Sequence, residues 1–443
     1  MVAWMGGLLV LFVVSQSLYF LVNVLDVLLV LPRGVNRVEE RPSSRKRPVH
    51  VLIPVYEEPR ALLEETIERV YESDYPDDMI TVHVIYERDD ETTTAFVDDF
   101  VHESIFRGWT VRKVAVDRSV LAGHVTGTNY QWYTDPEEVP RTKAAALTYT
   151  FLTQSFAPDD VITVLDVDTL VPADLFELAV SGLETYDVVQ AKQTVRNVED
   201  GVLPLLESMG ITAWVDIVFP KLSKGPYQLL GKGYFLEART LYDLDAWEIE
   251  EITEDMALGF TAYRQGYDLG VVDRYVRDLC PSDFGDWRRQ KERWVSGPYR
   301  YWLVEGLDRL DYLRLWTFTF GYQLRSVTHV VGVPAGLAVL ALALAGAGIP
   351  FTLPLAVVTG ANLVYWVAYT ALSYRATEAA VPFRSRARKA GYYLLSNPLT
   401  QVAYNALWTI PIAVTAFRVV RGEMPSFTVT PKRAPAESDP TTD

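Results

Sequence analysis

Cysteine and lysine are scarce in this chain of 443 residues, and each scarcity excludes a class of protein. The single cysteine, Cys280, excludes a disulfide framework within the chain and a zinc site built from several cysteines. We interpret it as a small side chain packed in a core. Only 10 of the 41 basic residues are lysine, and 57 carboxylates bring the formal net charge to −16. Because nucleic acid is bound by basic surfaces, we expect no nucleic-acid partner, and the same balance resembles proteins from salt-loving organisms.

The chain is too apolar for a purely soluble protein. Hydrophobic residues make up 49% of it, and the mean hydropathy is +0.07. Its length also exceeds that of one ordinary domain. We therefore expect a globular domain combined with membrane helices.

An apolar segment covers residues 2–31 almost without interruption. A spanning helix needs roughly 20 such residues, and neither a basic region nor a small-residue cleavage site marks this one as a signal peptide. We predict a retained transmembrane helix and a basic linker over residues 1–47. Six basic residues follow the helix and predict a cytoplasmic continuation, namely Arg33, Arg37, Arg41, Arg45, Lys46 and Arg47. Asp26 lies near the inner end, and we expect it to reach the interface rather than to face other helices.

Residues 50–273 show the pattern of an α/β domain, and we predict a cytoplasmic catalytic domain over residues 48–297. Short β-branched runs at residues 49–54, 80–86 and 160–165 alternate with helical stretches such as 60–72 and 142–154. This alternation predicts a mainly parallel sheet covered on both faces, with ligands at the carboxyl ends of the strands. Acidic residues follow three of these strands: Glu57, Glu58, Glu87, Asp89, Asp90, Asp166 and Asp168. Any one cluster can simply cap a helix, but three on one rim indicate a binding site.

The last third of the chain is again apolar. Apolar segments lie at residues 327–345, 351–373 and 394–419, and Pro398 and Pro411 interrupt the last one. We predict interfacial helices over residues 298–325, membrane helices over 326–420 and a cytoplasmic tail over 421–443. One crossing before the α/β domain and three after it would leave the tail outside. A cytoplasmic tail therefore requires one apolar segment to be re-entrant or interfacial, and residues 394–419 are the first choice.

Asp166-Val-Asp168 supplies two carboxylates at the end of a buried strand. In this position they can hold a divalent cation that bridges diphosphate oxygens and neutralises a leaving group. The pattern Asp-x-Asp is common by chance, and its position after the run of residues 161–165 is what favours a metal site.

Two later strings add candidate catalytic and binding residues to the two aspartates. Asp255, in Thr253-Glu-Asp255, lies at a predicted helix start, where it is either a general base or part of an ordinary cap with Thr253 as the capping residue. On a helix, Gln290, Arg293 and Trp294 share one face, with an amide, a guanidinium for phosphate and an indole for stacking on a sugar. The alternative for the last group is an interfacial anchor.

Together these strings resemble the processive, membrane-embedded family 2 glycosyltransferases, which include cellulose, chitin and hyaluronan synthases and the glucomannan mannosyltransferases. The resemblance covers residues 50–302. It is carried by Ile53-Pro-Val-Tyr-Glu57, Lys143-Ala-Ala-Ala-Leu147, Asp166-Val-Asp168, Gly231-Lys-Gly-Tyr234, Thr253-Glu-Asp255 and Gln290-Lys-Glu-Arg-Trp294. It implies a GT-A-like, Rossmann-type nucleotide-sugar domain with a mainly parallel sheet, plus α-helical transmembrane segments in the cell membrane.

The resemblance also implies roles on the donor side. Glu57 and Glu87 would lie near the base and ribose of a nucleotide diphosphate sugar, and Lys143 would lie near its diphosphate. Asp166 would contact the nucleotide as well as the metal. Asp168 would hold Mg²⁺ or Mn²⁺.

On the acceptor side, the resemblance makes Asp255 the base of a single inverting displacement that forms a β-glycosidic bond. Glu254, Gln290, Arg293 and Trp294 would seat the diphosphate or the terminal sugar of a glycan or lipid acceptor. Two alternatives stay open: a single-addition glycolipid synthase, and a non-catalytic membrane scaffold with a degenerate transferase fold.

Two segments depart from the family pattern. The second strand ends in Tyr86-Glu-Arg-Asp-Asp90, where the family usually has an Asp-Asp-Gly-Ser-like string. The tail string Phe427-Thr-Val-Thr-Pro-Lys432 resembles the gating loop of cellulose synthases but follows the last helix.

Overall fold

The structure is a computed structural model, and it describes residues 2–122, 133, 135–301, 306–347, 352–381 and 383–423. The predicted gating-loop-like string at 427–432 lies outside these residues. The strands are β1 (Val49–Val55), β2 (Ile80–Glu87), β3 (Val111–Val116), β4 (Val161–Val164), β5 (Val188–Val195), β6 (Tyr234–Glu237) and β7 (Leu269–Asp278). The helices are α1 (Val2–Leu25), α2 (Arg60–Tyr71), α3 (Glu91–Phe106), α4 (Arg118–Leu121), α5 (Lys143–Thr153), α6 (Leu175–Gly182), α7 (Val202–Ala213), α8 (Phe219–Leu222), α9 (Ala238–Asp243), α10 (Glu254–Arg264), α11 (Phe284–Arg300), α12 (Arg309–Trp316), α13 (Tyr322–Leu344), α14 (Leu353–Ala380), α15 (Arg386–Leu395) and α16 (Pro398–Val420).

The described residues form two compact units. Of the described residues, the helical unit comprises residues 2–34, Glu199–Lys221 and residues 287–423, and the α/β unit comprises Val35–Val198 and Leu222–Asp286. Within the catalytic domain predicted over residues 48–297, residues 199–221 and 287–297 group with the helical unit.

The α/β unit is built on a seven-stranded sheet with the order β3-β2-β1-β4-β6-β5-β7. Neighbouring strands pair in parallel, except that β6 runs antiparallel to both β4 and β5. Strands buried on both faces are apolar throughout, and β1 is buried along almost its whole length. The predicted fold class, α/β with a mainly parallel sheet, is confirmed.

The direction of β6 decides what reaches the carboxyl edge of the sheet. Since β6 runs against β4, the residues that precede β6 lie beside those that follow β4. The amide of Gly233 accordingly donates to the carbonyl of Val164 over 2.8 Å. The loop Gly231-Lys-Gly233 is thereby brought next to Asp166-Val-Asp168.

The helical unit contains the long apolar helices. Five helices among the described residues are long and apolar enough to cross a membrane: Met5–Val30, Val202–Leu222, Arg309–Leu344, Leu353–Ala380 and Leu399–Val420. Large apolar side chains on them point outward, since Leu28, Val364 and Leu399 are 66%, 70% and 74% exposed. An outward-facing apolar surface of this kind suits lipid hydrocarbon rather than water.

Two features of these helices differ from the sequence expectations. The segment expected to be interfacial, residues 298–325, overlaps a helical stretch that begins at Arg309 and continues through a π-helical turn, Thr317–Gly321, into α13. Pro411 lies inside α16 without ending it, and the break near residue 396 separates α15 from α16. There the side chain of Asn397 caps α16 by accepting from the amides of Leu399 and Thr400.

The expectation that Asp26 reaches the interface is wrong. Its side chain is fully buried inside the helical unit. It accepts hydrogen bonds from Tyr322 over 3.0 Å and from Arg325 over 3.3 Å, and a further one from Tyr365. A carboxylate in an apolar bundle is costly unless it is paired, and here the guanidinium supplies the pairing.

Candidate active site

Asp166 and Asp168 lie directly after β4, at the carboxyl edge of the sheet. Asp168 is 1% exposed, and its Oδ2 accepts from the amide of Leu279 over 3.1 Å. Asp166 is paired with two ammonium groups, with Lys143 Nζ 2.7 Å from Oδ1 and Lys232 Nζ 3.2 Å from Oδ2. The structure therefore brings together both predicted aspartates and the predicted phosphate-binding Lys143.

Lys143 is the first residue of α5. Thr142 caps this helix by accepting from the amide of Ala145 over 3.0 Å, which fixes the point from which the lysine extends. Its Nζ also donates to the Gly231 carbonyl over 2.9 Å and lies 3.5 Å from Glu254 Oε1. Burial alone lowers the pKa of Lys143, but the carboxylates of Asp166 and Glu254 outweigh it and raise the pKa above its usual value. The side chain is therefore a cation held inside the site.

Lys232 and Asp278 are site residues that sequence reasoning missed. Lys232 Nζ lies 2.9 Å from Asp278 Oδ2, and the other carboxylate oxygen of Asp278 accepts from Thr169 over 2.8 Å. Burial, opposed by Lys232 and assisted by the nearby charges of Asp168 and Asp166, raises the pKa of Asp278 to about 6. The Gly231-Lys-Gly-Tyr234 string pointed to Lys232 without assigning it a role, whereas Asp278 ends β7 with no motif around it.

Asp255 lies in the first turn of α10. Thr253 occupies the N-cap position, but its side chain makes no capping hydrogen bond, so the simple cap predicted as the alternative is absent. Burial and the negative charge of Glu254 raise the pKa of Asp255 to about 7, against the opposing effect of the Lys143 ammonium. A carboxylate with a pKa near neutrality can accept a proton at physiological pH.

Two glycines allow α10 to approach the site. A Cβ on Gly259 would lie 2.7 Å from the amide nitrogen of Leu229, so only glycine lets the helix pack this close to that backbone. Gly231 has a φ of +76°, and a Cβ there would lie 3.3 Å from Asp255 Oδ2. Asp255 is therefore a neighbour of the loop that carries Lys232.

The carboxylates of this edge suit a hard divalent cation. Asp166, Asp168 and Asp278 offer oxygen donors, the type that Mg²⁺ and Mn²⁺ prefer. Among the described residues, no group of three or more His, Cys, Asp or Glu side chains is already arranged to hold a metal. Mg²⁺ is commonly held by one or two carboxylates together with substrate phosphates. The donor set therefore fits a cation held by Asp166 and Asp168 with its remaining ligands from a diphosphate.

Glu57 and Glu87 end the two neighbouring strands, as predicted. Glu57 is exposed, has a φ of +54° and donates its amide to Asp90 Oδ2 over 2.9 Å. Asp90, which is buried, also caps α3 through the amide of Thr93. Glu87 is paired with Arg118 at 2.8 Å. A non-glycine residue in the left-handed region is strained, and such strain is often found at ligand-binding turns.

Gln290, Arg293 and Trp294 lie on α11 within the helical unit, whereas the carboxylates and lysines above lie in the α/β unit. All three are partly buried. Gln290 Oε1 accepts from Lys291 over 3.0 Å, and Lys291 Nζ lies 3.4 Å from the centre of the Trp294 ring. The helical spacing that the string predicts is confirmed by α11.

By sequence, the chain matches one protein-family model and is similar to a curated plant protein. Residues 161–376 match the family model described as Glycosyl transferase family group 2. The chain is 22% identical over 270 residues to a curated protein of Arabidopsis thaliana, "Probable glucomannan 4-beta-mannosyltransferase 14", covering 59% of this chain and 46% of that protein. The chain thus spans about half the length of that relative.

Among solved structures, the chain is similar to the mannosyltransferase PcManGT from Pyrobaculum calidifontis in complex with GDP-Man and Mn²⁺. The TM-score is 0.50 at 18% identity, over 93% of this chain and 98% of that one. S. aureus TarS 1-349 aligns with a TM-score of 0.36 at 13% identity, over 85% of this chain and 92% of that one. The family match confirms the resemblance to family 2, and the first of these structures confirms the predicted fold class.

Proposed function

We propose, on the premise that this chain is a family 2 glycosyltransferase, that it moves a hexose from a nucleotide diphosphate sugar to a glycan acceptor at a membrane. The family match supports the enzyme class. The observation that carries the reaction type is the position of Asp255, a carboxylate with a pKa of about 7 that feels the charge of Lys143, which is itself paired with Asp166. A proton acceptor and a diphosphate-binding cluster in one α/β unit suit a transfer with a diphosphate leaving group.

The proposed step is a single displacement. A hydroxyl oxygen of the acceptor attacks the anomeric carbon, and its proton passes to the carboxylate of Asp255. The new carbon–oxygen bond forms as the bond to the diphosphate breaks, so the configuration inverts and an α-linked donor gives a β-linked product. The nucleoside diphosphate leaves with the bonding electron pair.

Lys143 and Lys232 supply positive charge where the diphosphate develops negative charge. Each is held by carboxylates inside the site, so no large reorganisation is needed when the bond breaks. Asp166 and Asp168 would hold Mg²⁺ or Mn²⁺, which when bound neutralises the leaving group. The Mn²⁺ in the complex of the similar mannosyltransferase supports this choice.

Mannose is the first donor sugar to test. The curated relative is named as a glucomannan 4-beta-mannosyltransferase, and the structure of similar fold holds GDP-Man. We propose GDP-mannose as donor and a β-1,4-linked manno-oligosaccharide as acceptor. Glu57 and Glu87 are proposed near the base and ribose, and Glu254, Gln290, Arg293 and Trp294 near the diphosphate or the acceptor.

We also propose that the chain crosses the cell membrane several times, with a cytoplasmic catalytic domain. Five candidate spanning helices and their outward-facing leucine and valine side chains support a membrane location. The basic residues that follow α1 support a cytoplasmic position for the α/β unit.

The proposal is tested with Asp255→Asn in purified protein reconstituted in lipid with Mn²⁺. The amide keeps the shape of the side chain but cannot take a proton, so transfer from GDP-mannose should fall by about 10²-fold or more while GDP-mannose still binds. Asp98→Asn is the matched control, because Asp98 is an exposed carboxylate of the same unit, paired with Lys113. An Asp255→Asn enzyme with wild-type turnover would eliminate Asp255 as the base.

The same assay separates the alternative functions. The length of the product distinguishes a polymer synthase from a glycolipid synthase. A wild-type protein that neither turns over nor binds any nucleotide sugar would favour the non-catalytic scaffold.

A further inference from the structure

A buried carboxylate on α7 binds three donors from two other helices of the helical unit. Glu207 is 2% exposed. Its Oε1 lies 2.7 Å from Lys291 Nζ, and its Oε2 accepts from Trp287 Nε1 and from the hydroxyl of Tyr404, both over 2.8 Å. Both oxygens are thus satisfied by partners on α11 and α16.

The packing of these helices is built around this group. A Cβ on Gly210, one turn after Glu207, would lie 2.5 Å from Tyr404 Cε1, so glycine is required for the tyrosine ring to lie against α7. Trp287 is fully buried, and its ring also meets Trp408 edge to face at 5.7 Å between centres. The network is therefore part of the fold of the helical unit and does not depend on a surface side chain.

Lys291 connects this network to the string Gln290–Trp294. The lysine is 1% exposed, and lysine is almost never so buried unless it is paired. Besides Glu207, its Nζ contacts Gln290 Oε1 at 3.0 Å and lies 3.4 Å from the centre of the Trp294 ring, a cation–π distance. One ammonium group thus touches two of the three side chains that are proposed to seat the acceptor or the diphosphate.

Glu292, the residue after Lys291, is also held by an ion pair, but with a different helix. Glu292 is 5% exposed, and its Oε2 lies 2.9 Å from Arg418 Nη1 on α16. The two residues between Gln290 and Arg293 are therefore both anchored by ion pairs to neighbouring helices.

The buried ion pair between Glu207 and Lys291 is not explained by a gain in folding stability. Taking two charges out of water costs about as much as their attraction returns, and apolar residues of similar size often serve equally well. A pair of fixed charges does supply direction, because an ammonium must point at its acceptors and at the face of an aromatic ring.

We propose that Glu207 and Lys291 are positioning residues that fix the side chains of Gln290 and Trp294 for the acceptor. Glu207 orients the ammonium, and the ammonium orients the amide and the indole. This inference rests on the proposed function, since it assigns a role to the residues that support the proposed acceptor-binding string.

The first test compares kinetic constants with GDP-mannose and a β-1,4-linked mannohexaose in lipid nanodiscs. Glu207→Gln replaces the carboxylate that pairs with Lys291 by a neutral amide, so we expect KM for mannohexaose to rise about tenfold, with kcat and KM for GDP-mannose changed by less than roughly twofold. Glu378→Gln is the matched control, because Glu378 belongs to an exposed ion pair with Lys389 in the same unit.

A double variant separates positioning from folding. Glu207→Gln combined with Lys291→Met removes both charges, so no buried charge is left unpaired and the thermal midpoint should return toward the wild-type value. The raised KM for mannohexaose should remain, because the ammonium that orients Gln290 and Trp294 is gone. The single variants Glu207→Gln and Lys291→Met provide the contrast. If both lose stability but their folded fraction keeps the wild-type KM for mannohexaose, the role is structural and the proposal is wrong.

A spectroscopic measurement tests positioning without any turnover. In protein labelled with 5-fluorotryptophan, the ¹⁹F resonance of Trp294, identified by its loss in Trp294→Phe, should shift or broaden in Glu207→Gln and stay unchanged in Glu378→Gln. An unchanged Trp294 resonance in Glu207→Gln would overturn the proposal. If the wild type transfers no mannose, but the Trp294 resonance differs between the wild type and Glu207→Gln, the proposed function is contradicted and the positioning role stands.

Discussion

Replacing Glu254 with glutamine should lower the pH at which the enzyme becomes active. Burial and, after it, the negative charge of Glu254 raise the pKa of Asp255, Lys143 lowers it, and the resulting pKa is about 7. The substitution removes the raising charge, and it also releases Lys143 from an ion pair at 3.5 Å. Both changes favour ionised Asp255, so its pKa should fall.

The size of the change follows from the proximity of the two carboxylates. A like charge at short range commonly shifts a pKa by about one unit or more. The pH dependence of kcat/KM reports the free enzyme, so for the wild type it should rise with pH and level off above about 7, falling roughly tenfold per pH unit below that. A base with a pKa lowered to about 6 would be half ionised at pH 6, against roughly a tenth for the wild type. Relative to its own plateau, the variant should therefore be about fivefold more active at pH 6.

The assay is the initial rate of transfer from GDP-mannose between pH 5 and 9, with each profile scaled to its plateau. Lys143→Met serves as the opposing variant, because it removes the charge that lowers the pKa of Asp255 and should move the profile to higher pH. Both variants touch the site, so lower plateaus are expected and do not bear on the result. Identical profiles for all three proteins, or an upward shift for Glu254→Gln, would refute the assignment of Asp255 as the titrating base.

Three further changes give distinct outcomes. Lys232→Met removes the cation between two carboxylates and should raise KM for GDP-mannose about tenfold, measured by initial rates at fixed acceptor. Gly231→Ala imposes a side chain at a φ of +76° and 3.3 Å from Asp255 Oδ2, which should lower kcat and destabilise the fold by about 1–2 kcal/mol in a thermal melt. Asp26→Asn leaves Arg325 buried without a counter-charge and should destabilise the helical unit by about 3–5 kcal/mol, measured as loss of thermal midpoint in nanodiscs, whereas an unchanged midpoint would show that the pair is dispensable.

Local patterns were sufficient for several elements of the α/β unit. The run at residues 49–54 predicted a strand observed as Val49–Val55, and the helical stretch at 60–72 was observed as Arg60–Tyr71. Both are encoded by neighbouring side chains, through an apolar run buried on both faces and through a 3.6-residue period. The same reasoning placed Asp166 and Asp168, because the end of a buried strand is itself a local feature.

Site residues that depend on strand direction could not be predicted in this way. Lys232 reaches Asp166 because β6 runs antiparallel to β4, and a four-residue apolar run does not reveal its direction. Asp278 joins the same cluster because β7 pairs with β5, far from Asp166 in sequence. The burial of Asp26 depends likewise on a partner 299 residues away. Such contacts are properties of the assembled unit and have no local signal.

The ion pair between Asp26 and Arg325 has a consequence for how the chain is made. The helical segment Met5–Val30 is synthesised with the carboxylate of Asp26 near its C-terminal end, and the counter-charge of Arg325 is translated 299 residues later. In the proposed membrane arrangement, this segment carries its carboxylate without Arg325 until α13 is also inserted, and a charged residue in a membrane helix is costly. We therefore predict that chains that terminate before Arg325 are degraded rather than accumulate.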